Sequence, residues 1–336
     1  MKATSPERLA ARTPLALWTD LARLRPRAWL PAGGLVLIGL VAFGALSSDV
    51  STMSAFSTIL MYLTLVQAWN VLGGYGGYMN FGMAAFFGVG AYTTAVLGQS
   101  GSVPPFLAVP AAGIVGAVFA LVVGVPTLRL RGAYFAIATL IITFAVQLAV
   151  LNTRLTGGSL GLYLKVLPFD AVQTEQLFYF VFLGLAIAST AAAYIVEHSN
   201  FGWALVAIRE DEDASEVLGV KTTQVKIAAL LVGAFMAGIV GGIYSYRVLY
   251  IEPSGTFSLD ISLNVVLMAV LGGAGYWQGA IIGAPVVMLI GDVLRVGIAA
   301  AVNRVIFGVL LIAIATFVPN GVMGLIRGVR GRRFTV

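Results

Sequence analysis

The feature that most limits how this chain can fold is a series of apolar runs of roughly 20 residues each. In hydrocarbon every backbone N–H and C=O must be hydrogen-bonded within the protein, so such runs cross a bilayer as helices. A strand-based barrel would need sustained alternation of apolar and polar residues, which these runs lack. The hydrophobic content of 59% and the mean hydropathy of +0.96 agree, since soluble domains are about 45–50% apolar. We therefore expect an all-α polytopic membrane protein.

The lengths of these runs predict ten transmembrane helices. They are 29–46, 53–72, 82–98, 105–125, 133–151, 176–196, 226–249, 261–274, 278–296 and 302–318. The chain then divides into a basic N-terminal segment (1–28), one transmembrane domain (29–326) with a polar loop at 197–225, and a basic tail (327–336). The longest connection on the opposite side is 152–175.

The basic residues predict the orientation of the bundle, because Lys and Arg collect on the cytoplasmic side of membrane proteins. With ten spans and both termini inside, the inner segments hold 1–27 and the following residues: Arg129, Arg131, Arg209, Lys221, Lys226, Arg327, Arg330, Arg332 and Arg333. The outer segments keep mainly Arg154 and Lys165, with Arg247, Arg295 and Arg304 near span ends. The net charge of +6 thus reflects membrane topology, and we expect no nucleic-acid partner.

Several kinds of chemistry are excluded by the residues that the sequence lacks. Cysteine is absent, so disulfides, thiol catalysis and cysteine-based metal sites are ruled out. The single histidine, His198, is too little for a histidine-based metal site or proton relay. None of the four lysines follows a glycine, so there is no phosphate-binding G-x-x-x-x-G-K-[ST] loop. We expect no catalytic residue, no metal site and no cofactor in this chain.

One polar stretch, Asn200–Gly219, stands out in a protein that is only 10% charged. Six of its residues between 209 and 216 are charged: Arg209, Glu210, Asp211, Glu212, Asp213 and Glu216. Its apolar residues fall roughly at helical spacing, and they are Leu205, Ile208, Val217 and Leu218. This pattern predicts a short cytoplasmic helix with one face for packing and one charged face for water or a partner.

Two glycine-rich stretches, 72–82 and 271–279, interrupt apolar spans. Both follow a span that runs from outside to inside, as expected for a parallel repeat. One interpretation is close helix packing, because small residues four apart let backbones approach. This spacing occurs at Gly73/Gly77, Gly238/Gly242 and Gly275/Gly279/Gly283. The other interpretation of the two stretches is a broken helix whose free backbone groups line a cavity for a polar ligand.

Amide side chains near the first break add to the cavity interpretation. Gln67, Asn70 and Asn80 would be costly in lipid, so they should face protein or water. The candidate substrate pathway is formed by Asn70, Gly74, Tyr75, Asn80 and Asn264. Interhelical hydrogen bonding is the alternative role for such amides. No Asp, Glu, Lys or Arg is expected deep in any span, which argues against a proton- or sodium-coupled carrier.

Several stretches, in order along most of the chain from about residue 60, carry a resemblance to a known family. They are AWNVLGGYGGYMNFGMAAFFGVGAY (68–92), LRLRGAYFAIATL (128–140), LTGGSLGL (155–162), NFGWALVAIREDEDASEVLGVKTTQVKIAAL (200–230), LMAVLGGAGYWQGAIIGA (267–284) and FVPNGVMGLI (317–326). The chain resembles the permease subunits of branched-chain amino acid ABC importers, and specifically the longer, M-type permease. Its most specific signature is A-I-R-E-x-E-x-A-x-x-x-x-G, which begins at Ala207.

The resemblance implies that the polar stretch inserts into a groove of an ATP-binding subunit. The coupling residues would be Arg209, Glu210, Asp211, Glu212, Ala214 and Gly219. Asp211 stands where the family often has Asn, and Ser215 where Ala is common. The implied partners are a sister permease, two subunits that bind ATP and Mg²⁺, a periplasmic or lipid-anchored substrate-binding protein, and membrane lipid.

The resemblance also implies a location and a substrate class. The location is the bacterial cytoplasmic (inner) membrane. The substrates are branched-chain or other hydrophobic amino acids, with urea, short amides or aromatic acids as the alternative for the same type of importer. A protein of another class, a stand-alone secondary transporter or channel, is the alternative function.

Overall fold

A computed structural model describes residues 29–47, 49–99, 104–166, 168–295, 309 and 321–324. The predicted N-terminal segment 1–28 and tail 327–336, and all of the predicted span 302–318 except residue 309, lie outside the described residues. The chain divides into two units at residues 49 and 50. The first unit contributes one described helix, α1 (Trp29–Leu46).

Helices form most of the described part of the second unit. They are α2 (Val50–Asn70), α3 (Met83–Gln99), α4 (Pro105–Thr127), α5 (Ala133–Leu151), α6 (Ala171–Glu197), α7 (Asn200–Glu210), α8 (Glu212–Val217), α9 (Thr222–Val248), α10 (Pro253–Thr256), α11 (Leu259–Gly272) and α12 (Trp277–Arg295). A π-helical turn, Val71–Tyr75, continues α2, and two 3₁₀ turns lie at Arg154–Thr156 and Gly158–Leu160. Two short strands, β1 (Leu162–Tyr163) and β2 (Tyr250–Ile251), pair antiparallel with Tyr163 opposite Tyr250.

The structure confirms an all-α polytopic membrane protein. Among the described residues, six helical stretches are long and apolar enough to cross a bilayer, and Leu37–Leu46 and Trp277–Gly291 are shorter apolar helices. The predicted count of ten spans stays a prediction.

Helix bounds differ most at α6, which begins five residues before the predicted 176. The cause is a capping box, in which Asp170 and Gln173 satisfy each other's free backbone N–H groups.

The connections between helices collect at the two ends of the bundle. At the end that we call the polar end, the stretches 76–82, 128–132, 198–221 and 273–276 lie together, joined by the contacts described below. At the opposite end, which we call the hairpin end, β1 pairs with β2 and Arg247 donates to Glu175 across 2.9 Å. These ends correspond to the predicted inner and outer sides. The side that faces the cytoplasm stays a prediction from charge.

Close backbone approach builds the centre of the bundle, where α9 packs against α3 and α4. A Cβ at Gly90 would lie 2.5 Å from Gly238 Cα, and one at Gly238 would lie 2.6 Å from the carbonyl oxygen of Ala112. Only glycine fits in such contacts without moving a backbone. The packing interpretation is therefore confirmed for Gly238/Gly242, since a Cβ at Gly242 would lie 2.5 Å from Thr94 Oγ1 and 3.1 Å from Ala112 Cβ.

Candidate functional site

The polar segment, Asn200–Gly219, forms two helices rather than the one that we predicted. α7 begins after Ser199, whose Oγ accepts a hydrogen bond from Gly202 N at 3.2 Å. α8 begins after Asp211, whose Oδ1 accepts from Ala214 N at 2.9 Å. Asp211 lies between them in an extended conformation, with φ −157°. The aspartate breaks the segment because its side chain caps the new helix.

The predicted packing face is right for α7 and wrong for α8. Leu205 and Ile208 are buried against the bundle. Val217 is 88% exposed and Leu218 is 85% exposed, because the break at Asp211 turns α8 away from the line of α7. Gly219 follows with φ +91°, a backbone conformation that glycine adopts without strain. The tip of the polar segment thus presents an apolar pair to its surroundings.

A compact cluster of charges fixes the start of α8 to the bundle. The ammonium of Lys226 is buried in α9 and donates to Glu212 Oε1 at 2.6 Å. The Tyr78 hydroxyl donates to the other oxygen of Glu212, and the Tyr78 ring packs edge-on against Phe135 with centroids 5.2 Å apart. At the exposed side of the cluster, Arg131 contacts both Glu212 and Asp213.

The cluster keeps its carboxylates ionised. Burial of Glu212 opposes ionisation, but the hydrogen bonds from Lys226 and Tyr78 and the neighbouring positive charges outweigh it, so the pKa of Glu212 lies below its usual value. Hydrogen bonds from Arg131 lower the pKa of Asp213. Burial and the hydrogen bond to Glu212 raise the pKa of the Tyr78 phenol. At neutral pH the cluster therefore holds an ionised carboxylate at Glu212 and a neutral phenol at Tyr78.

Arg209 joins α7 to the first glycine break. Its Nη1 donates to the carbonyl oxygen of Gly74 at 3.3 Å, and its Nη2 donates to the exposed Glu210 at 3.0 Å. The arginine side chain lies along Gly77, where a Cβ would be 2.5 Å from Arg209 Cγ. A cation at this position also suits the carbonyl-rich C-terminal end of the interrupted helix.

The two glycine breaks meet each other at the polar end. Asn70 Oδ1 accepts a hydrogen bond from Gly275 N at 2.8 Å, and Asn70 Nδ2 donates to the carbonyl oxygen of Tyr276 at 3.2 Å. A Cβ at Gly74 would lie 2.5 Å from Gly275 N. The breaks are separated by about 200 residues of chain but form one contact, and Arg209 borders both of them.

The predicted pathway residues near the first break are engaged with protein. Besides Asn70 and Gly74, the Tyr75 hydroxyl donates to the carbonyl oxygen of Ala193 at 3.2 Å. Asn80 Oδ1 accepts from Gly82 N at 2.8 Å, and Asn80 is buried. Asn264 lies apart, half-buried on α11, and its side chain makes no hydrogen bond to any residue that the structure describes. These contacts favour the alternative role of hydrogen bonding for the first group, and substrate contact stays a prediction.

Some residues of this site escaped the sequence analysis. Tyr78 lay within a glycine-rich stretch, and Lys226 was placed at the very edge of a span. Glu197 accepts from Trp277 N at 3.0 Å and from the Tyr75 hydroxyl at 3.3 Å. The sequence signal for these residues is their position next to an apolar span. A polar side chain there needs a hydrogen-bonding partner. Within the described ranges, no group of three or more His, Cys, Asp or Glu side chains could hold a metal ion.

Comparison with known proteins places these features in a family. A sequence model described as "Branched-chain amino acid transport system / permease component" matches residues 51–315. The high-affinity branched-chain amino acid transport permease proteins LivM of Salmonella typhimurium and Escherichia coli are 29% and 28% identical to the chain. Each alignment covers 74% of this chain, and 64% and 63% of those relatives, so the chain spans less than two thirds of their length.

A relative of the other permease type is also similar. The probable branched-chain amino acid transport permease LivH of Methanocaldococcus jannaschii is 23% identical, over 73% of this chain and 82% of its own length. No solved structure matches the chain.

Proposed function

This chain belongs to the family of permease components of branched-chain amino acid transport systems, and from that premise we propose that it carries branched-chain or other hydrophobic amino acids across a bacterial inner membrane, driven by ATP-binding subunits. Family membership supports a permease subunit of an ABC importer that does not itself catalyse a reaction. The relatives include both LivM and LivH permeases, which supports a sister permease as the partner within the membrane.

The observation that carries the proposal is the shape and charge of the polar segment. Its base is held by buried Leu205 and Ile208, while Val217 and Leu218 stand exposed at its tip. The same segment carries four exposed acidic side chains, and they are Glu210, Asp211, Asp213 and Glu216. An apolar knob with an acidic rim fits a hydrophobic groove bordered by basic residues. We assign that groove to an ATP-binding subunit, with ATP and Mg²⁺ bound there and not in this chain.

The contacts of Arg209 link α7, the base of the polar segment, to the membrane helices. A movement of the polar segment displaces Arg209, which bears on Gly74 and borders Gly275. Because the two glycine breaks contact each other, they move together. The helices attached to them then rotate as rigid bodies. A substrate-binding protein, periplasmic or lipid-anchored, would deliver the solute at the hairpin end. Asn70, Gly74, Tyr75, Asn80 and Asn264 remain the proposed pathway residues.

The test is a change of the knob to serine, V217S/L218S. Burying two such side chains in a partner groove is worth about 3 kcal/mol in total, so binding of the ATP-binding subunit should weaken about a hundredfold. Affinity is measured by titrating the purified subunit onto the permease in detergent, and ATP-driven uptake of radiolabelled leucine should fall in parallel. L155S/L160S, which alters leucines equally exposed at the hairpin end, should leave the affinity unchanged.

The same preparation separates the proposal from its rivals. Uptake by the chain without ATP-binding subunits would identify a stand-alone carrier or channel and overturn the proposal. Unchanged affinity of V217S/L218S would remove the knob from the interface. If urea, acetamide or benzoate competes with leucine for uptake, the substrate belongs to the alternative classes.

A further inference from the structure

The buried ammonium of Lys226 joins three separate parts of the polar end, and we propose that it is the positioning residue through which α8 moves the transmembrane helices. This inference rests on the proposed function, since it concerns how force from an ATP-binding subunit reaches the bundle. We call the group formed by Lys226, Glu212, Tyr78 and the Leu128 carbonyl the latch.

The latch uses every donor that a lysine has. Lys226 Nζ donates to Glu212 Oε1 at 2.6 Å, to the Tyr78 hydroxyl at 3.1 Å and to the carbonyl oxygen of Leu128 at 3.1 Å. Lys226 is only 3% exposed. An ammonium has three N–H donors, so this one is fully satisfied and fixed in direction. Leu128 follows the last residue of α4, where helix carbonyls are free and a cation is favoured.

Each acceptor belongs to a different part of the chain. Glu212 is the first residue of α8, Tyr78 belongs to the first glycine break, and Leu128 directly follows α4. The latch therefore ties the distal half of the polar segment to two elements of the membrane bundle. Tyr78 and Glu212 are also bonded directly, so the three side chains close a triangle.

The break at Asp211 makes this tie necessary for transmission. α7 has its own anchors in Leu205, Ile208 and Arg209, but Asp211 interrupts the helix before the knob is reached. The other ion pairs of α8 join Glu212 and Asp213 to Arg131, whose side chain is 55% exposed, and pairs with such an exposed partner hold elements together weakly. A displacement of α8 thus acts on α4 and the first glycine break through the latch, and on α9 also through the short connection 218–221.

Stability alone gives little reason for a buried ion pair. Replacing such a pair by well-packed apolar residues is often neutral, whereas removing one partner leaves an uncompensated charge. The double variant K226M/E212L removes both charges together, so folding and movement can be tested separately. Y78F removes a single hydroxyl and keeps the ring on Phe135. K221M alters an exposed lysine five residues before Lys226 and is the matched control.

The experiment uses the permease reconstituted in proteoliposomes with its sister permease, ATP-binding subunits and binding protein. ATP hydrolysis and uptake of radiolabelled leucine are measured on the same vesicles, and the leucine carried per ATP hydrolysed is compared between variants. For K226M/E212L this ratio, measured on the complexes that retain the ATP-binding subunit, should fall about tenfold, within the usual range of coupling between sites. Y78F should show a smaller fall, and K221M none.

The outcomes distinguish this inference from the function on which it rests. An unchanged ratio in K226M/E212L, with the complex intact, overturns the latch and leaves the importer standing. If the double variant does not assemble, the test rests on Y78F. An unchanged amount of leucine carried per ATP hydrolysed in Y78F then overturns the latch as well. If the unmodified protein takes up leucine without ATP-binding subunits, the importer proposal fails and the latch falls with it.

Discussion

Replacing Asn70 by leucine should destabilise the protein, because this amide braces the two glycine breaks. In N70L the N–H of Gly275 and the carbonyl oxygen of Tyr276 both lose their side-chain partner. Leucine has the same branching and number of heavy atoms as asparagine, so the change removes both hydrogen bonds without shortening the side chain.

The cost follows from the two lost hydrogen bonds. A buried group left without a partner costs about 1–3 kcal/mol, which gives an upper figure of about 6 kcal/mol for two. Interhelical hydrogen bonds in membrane proteins average only about 0.6 kcal/mol, which gives a lower figure of about 1 kcal/mol. Gly275 and Tyr276 are half-buried rather than sealed from water. We therefore expect N70L to lower the free energy of unfolding by about 2 kcal/mol, between those limits.

The assay is reversible unfolding in mixed detergent micelles, followed by circular dichroism. N264L is the matched control, because Asn264 is also a predicted pathway amide but its side chain makes no hydrogen bond within the described part of the chain. N264L should unfold like the unmodified protein. Equal free energies of unfolding for N70L and N264L would refute the bracing role. A raised KM for leucine in N70L, with unchanged stability, would return Asn70 to the substrate pathway.

Two further predictions concern packing and charge. In G241A the new Cβ would lie 2.8 Å from the carbonyl carbon of Phe87, so overpacking should lower the free energy of unfolding by about 1–3 kcal/mol; G184A, with no atom within 4 Å, is the control and should not lower it. Because the pKa of Glu212 is lowered, the stabilisation from its ion pair is fully present above the ordinary carboxyl pKa of about 4.3 and is lost as pH falls through the lower folded value. Hydrogen exchange at residues 212–218, corrected for intrinsic rates, should therefore be constant from neutral pH down to about pH 5 and accelerate only below about pH 4. E212Q should remove that acid transition, and an identical transition in E212Q would assign it to another group.

The membrane helices were predictable because apolar length is a property of each segment by itself. The break within the polar segment was missed, although its signal was present. Asp211 followed by Glu212 and Asp213 is typical of a helix start, but the helical spacing of the apolar residues across it favoured one continuous helix. The exposure of Val217 and Leu218 follows from that break, so both errors have one cause.

The partners of polar residues could not be predicted. The sequence showed that Asn70 had to be satisfied, but the groups that satisfy it are more than 200 residues away. Lys226 was placed at the edge of a span because apolar residues dominate after it. The helix begins four residues earlier, at Thr222, and that difference places the lysine inside the bundle.

The contact between the two glycine breaks also sets the order in which the protein can be completed during synthesis. Asn70 and Gly275 are 205 residues apart, so at roughly 5–20 residues per second the ribosome needs about 10–40 s to supply the second after the first. During that interval an amide next to a newly inserted span lacks its native partners. The polar end is thus finished late in biogenesis, and a nascent chain that stalls before α12 leaves this surface open to the insertion machinery and to quality-control proteases.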